Sequence, residues 1–159
     1  MDNLGRQNEG SKESRRLIYL VHNDSEVLLS LYDALTASGF QVIASSNALD
    51  ALAYIARSKP RAILCRWEMS EMDGLEFIRR ARQLSPSAQI ILCSRVADGR
   101  MFQQIISSGG TDLIQEPMSA TTVLHAVSRL FGMGVPYESS GTATYELDSR
   151  PAERHGEVF

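Results

Sequence analysis

The sequence predicts an α/β fold, a doubly wound five-stranded parallel sheet with helices on both faces. Three observations carry this. Apolar runs of strand length recur five times between residues 17 and 115, the mark of strands covered on both sides. Each run is followed by a segment whose apolar residues fall at helical spacing. The two kinds of segment alternate, and right-handed strand–helix–strand crossovers then make the strands parallel and distribute the helices over two faces.

The elements follow in order. LIYLV at 17–21 is the first strand, and the helix after it carries Val27, Leu28, Leu31 and Leu35 on one side, with Gly39 as its stop signal. QVIAS at 41–45 is the second strand. Asn47 caps a second helix that places Leu49, Leu52 and Ile55 on one face, and Pro60 closes that unit. AILC at 62–65 is the third strand, with a helix from about Leu75 to Leu84. Pro86 separates that helix from AQIILC at 88–93, and a weaker helix spans about Arg100 to Ser107. TDLIQ at 111–115 is the last strand, and Ser119 starts a final helix through Val123, Leu124, Val127 and Leu130.

Outside these units the composition changes. Residues 1–16 and 134–159 are polar, lack periodic apolar positions, and read as a flexible arm and a disordered tail around one domain at 17–133. Tyr137, Tyr145 and Phe159 are the tail's candidate anchors for a partner. A hydrophobic content of 43% suits a real core, and a net charge of −3 argues against a nucleic-acid binder. No apolar run is long enough to span a membrane, and the N-terminus lacks the apolar centre of a signal peptide. Two widely spaced cysteines fit a reducing compartment, so the expected location is the cytoplasm.

In a doubly wound sheet, ligands gather beyond the carboxyl ends of the strands. The loops that matter therefore begin near His22, Arg66, Ser94 and Glu116. At these loops the chain resembles the response-regulator receiver family. EMSEMDGLEFIRRAR, with Met69, Met72, Asp73 and Gly74, resembles that family's loop and helix after strand three. GGTDLIQEP resembles its segment around strand five, and NALDAL its second helix; the likeness covers about residues 17–133. It implies the flavodoxin-like, CheY-like strand order 2-1-3-4-5.

The resemblance also implies a chemistry that this chain lacks. The family transfers a phosphoryl group to an aspartate ending strand three, a position held here by Arg66. Its paired magnesium-binding acids fall on His22 and Asn23, with Asp24 just beyond, and its lysine before the proline falls on Glu116. The hydroxyl ending strand four survives as Ser94, whereas the aromatic switch position is Leu113. A guanidinium has no lone pair for attack and stays protonated, and magnesium wants several oxygen ligands in octahedral geometry. The expectation is a degenerate pocket with no metal and no cofactor, closed by an ion pair between Arg66 and Glu116, whose charges are exchanged relative to the family's.

Other residues have blander readings. Cys65 and Cys93 lie on neighbouring strands, where they would face each other as buried reduced thiols. His22 reads as a hydrogen-bonded loop histidine. Trp67 lies over the pocket or marks a partner surface; Met101 and Phe102 mark a partner surface or face the sheet, Leu113 is a further candidate for that surface, and Arg79, Arg80 and Arg82 read as a solvated helix face. The function expected is a non-enzymatic, stand-alone signalling or scaffolding module that binds another protein, with a second copy of the chain as a further candidate. No output domain follows in this sequence, so its effect is expected to pass through a bound partner. Two alternatives stand beside it. One is a working receiver of a phosphorelay that uses Asp24 or Glu68 as acceptor, although Glu68, two residues late, is expected to turn away from Ser94. The other is an enzyme with Ser94 or the cysteines as nucleophile, which lacks a recognisable base and acid.

Overall fold

The computed structural model describes residues 16–132; the arm up to residue 15 and the whole tail with its three aromatic residues lie outside them. The strands are β1 (Leu17–Val21), β2 (Gln41–Ser45), β3 (Ala62–Arg66), β4 (Gln89–Ser94) and β5 (Asp112–Gln115). Between and after them run α1 (Ser25–Ala37), α2 (Ala48–Ser58), α3 (Gly74–Leu84), α4 (Gly99–Ser107) and α5 (Ala120–Leu130). All pairings are parallel and the sheet order is β2-β1-β3-β4-β5.

Side-chain alternation divides the core in two. Tyr19, Val21, Ile63, Cys65, Ile90, Leu92 and Leu113 face α2, α3 and α4. Ile18, Leu20, Leu64, Ile91, Cys93 and Ile114 face α1 and α5. Cys65 and Cys93 therefore sit on opposite faces. The register places Cys65 beside Leu92 and Arg66 beside Cys93, so the expected face-to-face thiol pair is replaced by two separately buried ones. Burial raises both thiol pKa values, and for Cys93 the nearby Glu116 carboxylate raises it further. A thiol reagent such as DTNB is thus expected to leave the native chain untouched and to find two thiols after denaturation; rapid stoichiometric labelling of the native chain would contradict this burial.

The helix starts are fixed locally. The side chains of Asp24, Asn47, Asp73, Asp98 and Ser119 each accept backbone N–H bonds at an N-terminus. Alpha-helix α2 is rotated from the expected face: Ala48, Ala51, Leu52 and Ile55 are buried, while Leu49 is 52% exposed. Small Ala48 and Ala51 let this helix sit close to the sheet, which Leu49 would prevent.

Arg82 also departs from expectation. Its Nε and Nη2 donate to the Gly109 carbonyl at 3.1 and 2.5 Å, and its Nη1 donates to the carbonyls of Pro86 and Ala88 at 2.7 and 2.6 Å. It is a clamp between α3 and two loops rather than a solvated charge. Arg79 and Arg80 are the surface residues of the group, and Arg80 pairs with Glu76 one turn away at 2.6 Å.

Candidate functional site

The site forms at the carboxyl end of the sheet, where three ladders run one residue past their strands. His22 N–H donates to the Ser45 carbonyl at 3.1 Å, Trp67 N–H to Cys93 at 2.8 Å and Glu116 N–H to Ser94 at 2.8 Å. These bonds fix the backbone under His22, Arg66 and Glu116. By strand alternation all three side chains, with Cys93 beneath them, project to the α1–α5 side. There they line a cavity of about 450 Å³ together with Asp24, Val27, Arg95, Pro117 and Met118.

His22 and Glu116 make the shortest contact of the three, Nε2 to Oε1 at 2.7 Å, with side chains 4% and 10% exposed. The proton's place follows from the other ring nitrogen. Asp24 N–H donates to His22 Nδ1 at 3.0 Å, so Nδ1 carries a lone pair, and the neutral ring holds its proton on Nε2 and donates it to Glu116. Arg66, 12% exposed, donates from Nη1 to Asn23 Oδ1 at 2.6 Å. Its Nε lies 3.4 Å from Glu116 Oε2 and 3.5 Å from Glu68 Oε2, a charge contact with no hydrogen bond at that nitrogen. Arg66 and Glu116 are thus neighbours, yet the hydrogen bond of each goes to a third residue.

Glu68 is the residue the sequence reading misplaced. Its Oε1 accepts from Ser94 Oγ at 2.8 Å, and its backbone carbonyl accepts from Asn23 Nδ2 at 3.2 Å. Beyond the end of β3 the chain bends into an isolated bridge between Glu68 and Asp73, which turns the carboxylate back toward β4. Ser94, fully buried, points with Leu92 to the α2–α4 side, so it reaches the cluster only through Glu68. With Glu68 beside Arg66 and Glu116, the three charged side chains carry one excess negative charge.

Asp24 lines the cavity, but its Oδ1 is engaged by the N–H groups of Glu26 and Val27 as the cap of α1. Trp67 turns away from the cavity and packs on the other face, so close to Gly74 that an added Cβ there would meet its ring at 2.8 Å. Met101 and Phe102 are half-buried against the same core. Leu113 is fully buried and so offers no surface to a partner; β5 alternation points it inward. Strand alternation was the signal that could have brought Cys93 into the site from the sequence. For Glu68 and Arg95, both in loops, no comparable signal exists.

The side chains do not fit a metal. For magnesium, the oxygens of Asn23, Glu68 and Glu116 already face hydrogen-bond donors, and the Arg66 guanidinium stands among them, where it repels a cation. Among the described residues, His22, Cys93 and Glu116 hold potential ligand atoms within 4.8 Å of one another. A metal on His22 Nε2 would need the ring proton on Nδ1, facing the Asp24 N–H, and would lie beside Arg66. Both conditions oppose zinc binding.

Comparison with known proteins gives a consistent picture. The response regulator receiver domain family matches residues 18–128. The chain is similar to the chemotaxis protein CheY of Bacillus subtilis, 28% identical over 113 residues that cover 70% of this chain and 94% of the relative. It is 34% identical to CheY of Listeria monocytogenes over 93 residues, 58% of this chain and 78% of the relative. Among solved structures, a CheY-like receiver domain protein from Methanospirillum hungatei superposes with a TM-score of 0.70 at 21% identity, covering 74% of this chain and 94% of that one. The response regulator CheY4 of Vibrio cholerae gives 0.68 at 19%, covering 72% and 97%.

Proposed function

From the premise that the chain belongs to the response regulator receiver family, we propose that it is a receiver without phosphorylation chemistry. It acts as a signalling or scaffolding module through another protein and catalyses no reaction. The observation that carries this is Arg66 at the end of β3, its guanidinium set among Asn23, Glu68 and Glu116. A cation occupies the place where an acceptor would need a metal beside it. The side chains tie the β1, β3, β4 and β5 ends together through His22–Glu116, Arg66–Asn23 and Ser94–Glu68, a closed network that needs neither phosphate nor ion. No helix among the described residues is long and apolar enough to cross a membrane.

A second reading has one observation in its favour: Glu68, half-exposed, contacts the Ser94 hydroxyl and could serve as an unusual acceptor. One experiment separates the two. The chain is incubated with acetyl phosphate and magnesium and weighed intact. No added phosphoryl group is the expected outcome, also for Arg66→Asp, whose new carboxylate would face Glu68 and Glu116 as like charges. A phosphoryl adduct on the wild type that disappears in Glu68→Gln would establish the second reading and end the first.

A further inference from the structure

The two edges of the sheet differ in kind. The edge strand β5 opens with Asp112 and runs into Glu116, and charge is a common protection against edge-to-edge pairing. The other edge, β2, has none: Phe40 to Ser46 contains no charged residue and no proline.

Its hydrogen bonding is half used. Gln41 N–H donates to the Arg16 carbonyl at 3.2 Å, and the Ser45 carbonyl accepts from His22 at 3.1 Å. Alternate residues of a parallel strand turn their N–H and C=O groups to the same neighbour. Gln41, Ile43 and Ser45 therefore face β1, and the backbone groups of Val42 and Ala44 face outward, where β2 has no neighbouring strand among the described residues.

A wide groove of mixed lining runs along this edge, with Thr36, Gln41 and Ser58 among its polar residues. It measures about 480 Å³ and is lined by Tyr32 and Phe40 on the α1 side and by Ile43 and Tyr54 on the α2 side. Tyr32 and Tyr54, which line it, are 39% and 38% exposed, two of the six exposed large hydrophobic residues among those described.

We propose that this edge pairs antiparallel with β2 of a second copy of the chain, joining two five-stranded sheets into one of ten strands. A two-fold axis normal to the sheet at Ile43 sets Val42 of each copy opposite Ala44 of the other. Those are two hydrogen-bonded pairs with four backbone bonds, and Ile43 meets its own copy between them. The same axis keeps α1 beside α1 and α2 beside α2, so that Tyr32 and Tyr54 each face their counterparts. Charge selects a copy of this chain over an unrelated extended peptide. Asp50, Tyr54 and Arg57 follow at helical spacing along one stripe of α2, with the Arg57 guanidinium 5.6 Å from the Tyr54 ring centre. Antiparallel α2 helices centred near Tyr54 bring Asp50 of each copy to Arg57 of the other. This inference does not depend on how the pocket is read.

The experiment is sedimentation of the full chain from the low micromolar to the millimolar range, with amide exchange read at the same concentrations. A monomer–dimer equilibrium is expected, with Val42 and Ala44 amides exchanging at least about tenfold more slowly as dimer forms. Ala44→Pro removes an outward donor and leaves the β1 bonds intact, so it is expected to be monomeric. Asp50→Arg and Arg57→Asp each weaken the dimer about tenfold, and the doubly reversed D50R/R57D chain recovers it. A wild type that stays monomeric throughout overturns the proposal. So does a dimer whose Val42 and Ala44 amides are unprotected. If Ala44→Pro fails to fold, the charge reversals still decide, because a D50R/R57D chain that remains as weak as either single variant overturns the two-fold arrangement.

Discussion

Glu116→Ala is expected to lower stability by about 3 kcal/mol, since it strips a nearly buried guanidinium of a neighbouring countercharge. It also leaves the Nε2 proton of His22 without the acceptor 2.7 Å away. Arg66→Ala is expected to cost less, about 2 kcal/mol, because Glu116 keeps its bond from His22 while Asn23 loses its donor at 2.6 Å. In the double variant the two losses overlap, and a coupling energy of about 1–2 kcal/mol is expected from a double-mutant cycle in denaturant melts. The charge-swapped chain, Arg66→Glu with Glu116→Arg, is not expected to recover. Its glutamate would lie beside Glu68, and its arginine would face the Nε2 proton of His22. A coupling energy near zero would mean that Arg66 and Glu116 are neighbours without energetic consequence, and full recovery in the swapped chain would mean that Glu68 and His22 play no part.

Arg82→Ala is expected to cost about 2–4 kcal/mol, a large share of the 5–15 kcal/mol typical of a domain. Four charge-assisted contacts reach three backbone carbonyls, those of Gly109, Pro86 and Ala88. Without the guanidinium, the partly buried carbonyls of Gly109 and Ala88 lose these donors. Lysine keeps the charge but not the planar fork that serves carbonyls on two loops at once. Arg82→Lys should therefore recover no more than about half of the loss. Arg79→Ala, on the exposed side of the same helix, should change stability by less than about 0.5 kcal/mol. Equal melts for Arg82→Ala and Arg79→Ala would remove the clamp.

The contrast between Arg79 and Arg82 shows where sequence reading stops. Both stand in one run on α3, and helical spacing says only that they point in different directions. What awaits Arg82 is the Gly109 carbonyl, 27 residues away and brought close by the α4–β5 turn, where Gly109 adopts φ +101°. The pocket repeats the lesson. The sequence was enough to place His22, Arg66 and Glu116 at strand ends, because apolar runs set the strands and the crossover rule sets their direction. It was not enough to assign their partners. Distances of a few tenths of an ångström decide whether Glu116 bonds His22 or Arg66, and those depend on loop paths without periodicity.

By itself, then, the sequence determined the five strand–helix units, the parallel sheet, the helix caps at Asn47 and Ser119, and the place of the Arg66 guanidinium at the end of the third strand. These follow from local propensity, from the spacing of apolar residues and from the fixed chemistry of each side chain. Only the tertiary structure decided that Cys65 and Cys93 face apart, that Leu113 is core, that Trp67 leaves the pocket and that Glu68 enters it. Each of these depends on strand register or on a loop turning back over the sheet. Register and loop path are set by the packing of the whole chain, because shifting a strand by one residue sends every one of its side chains to the opposite face.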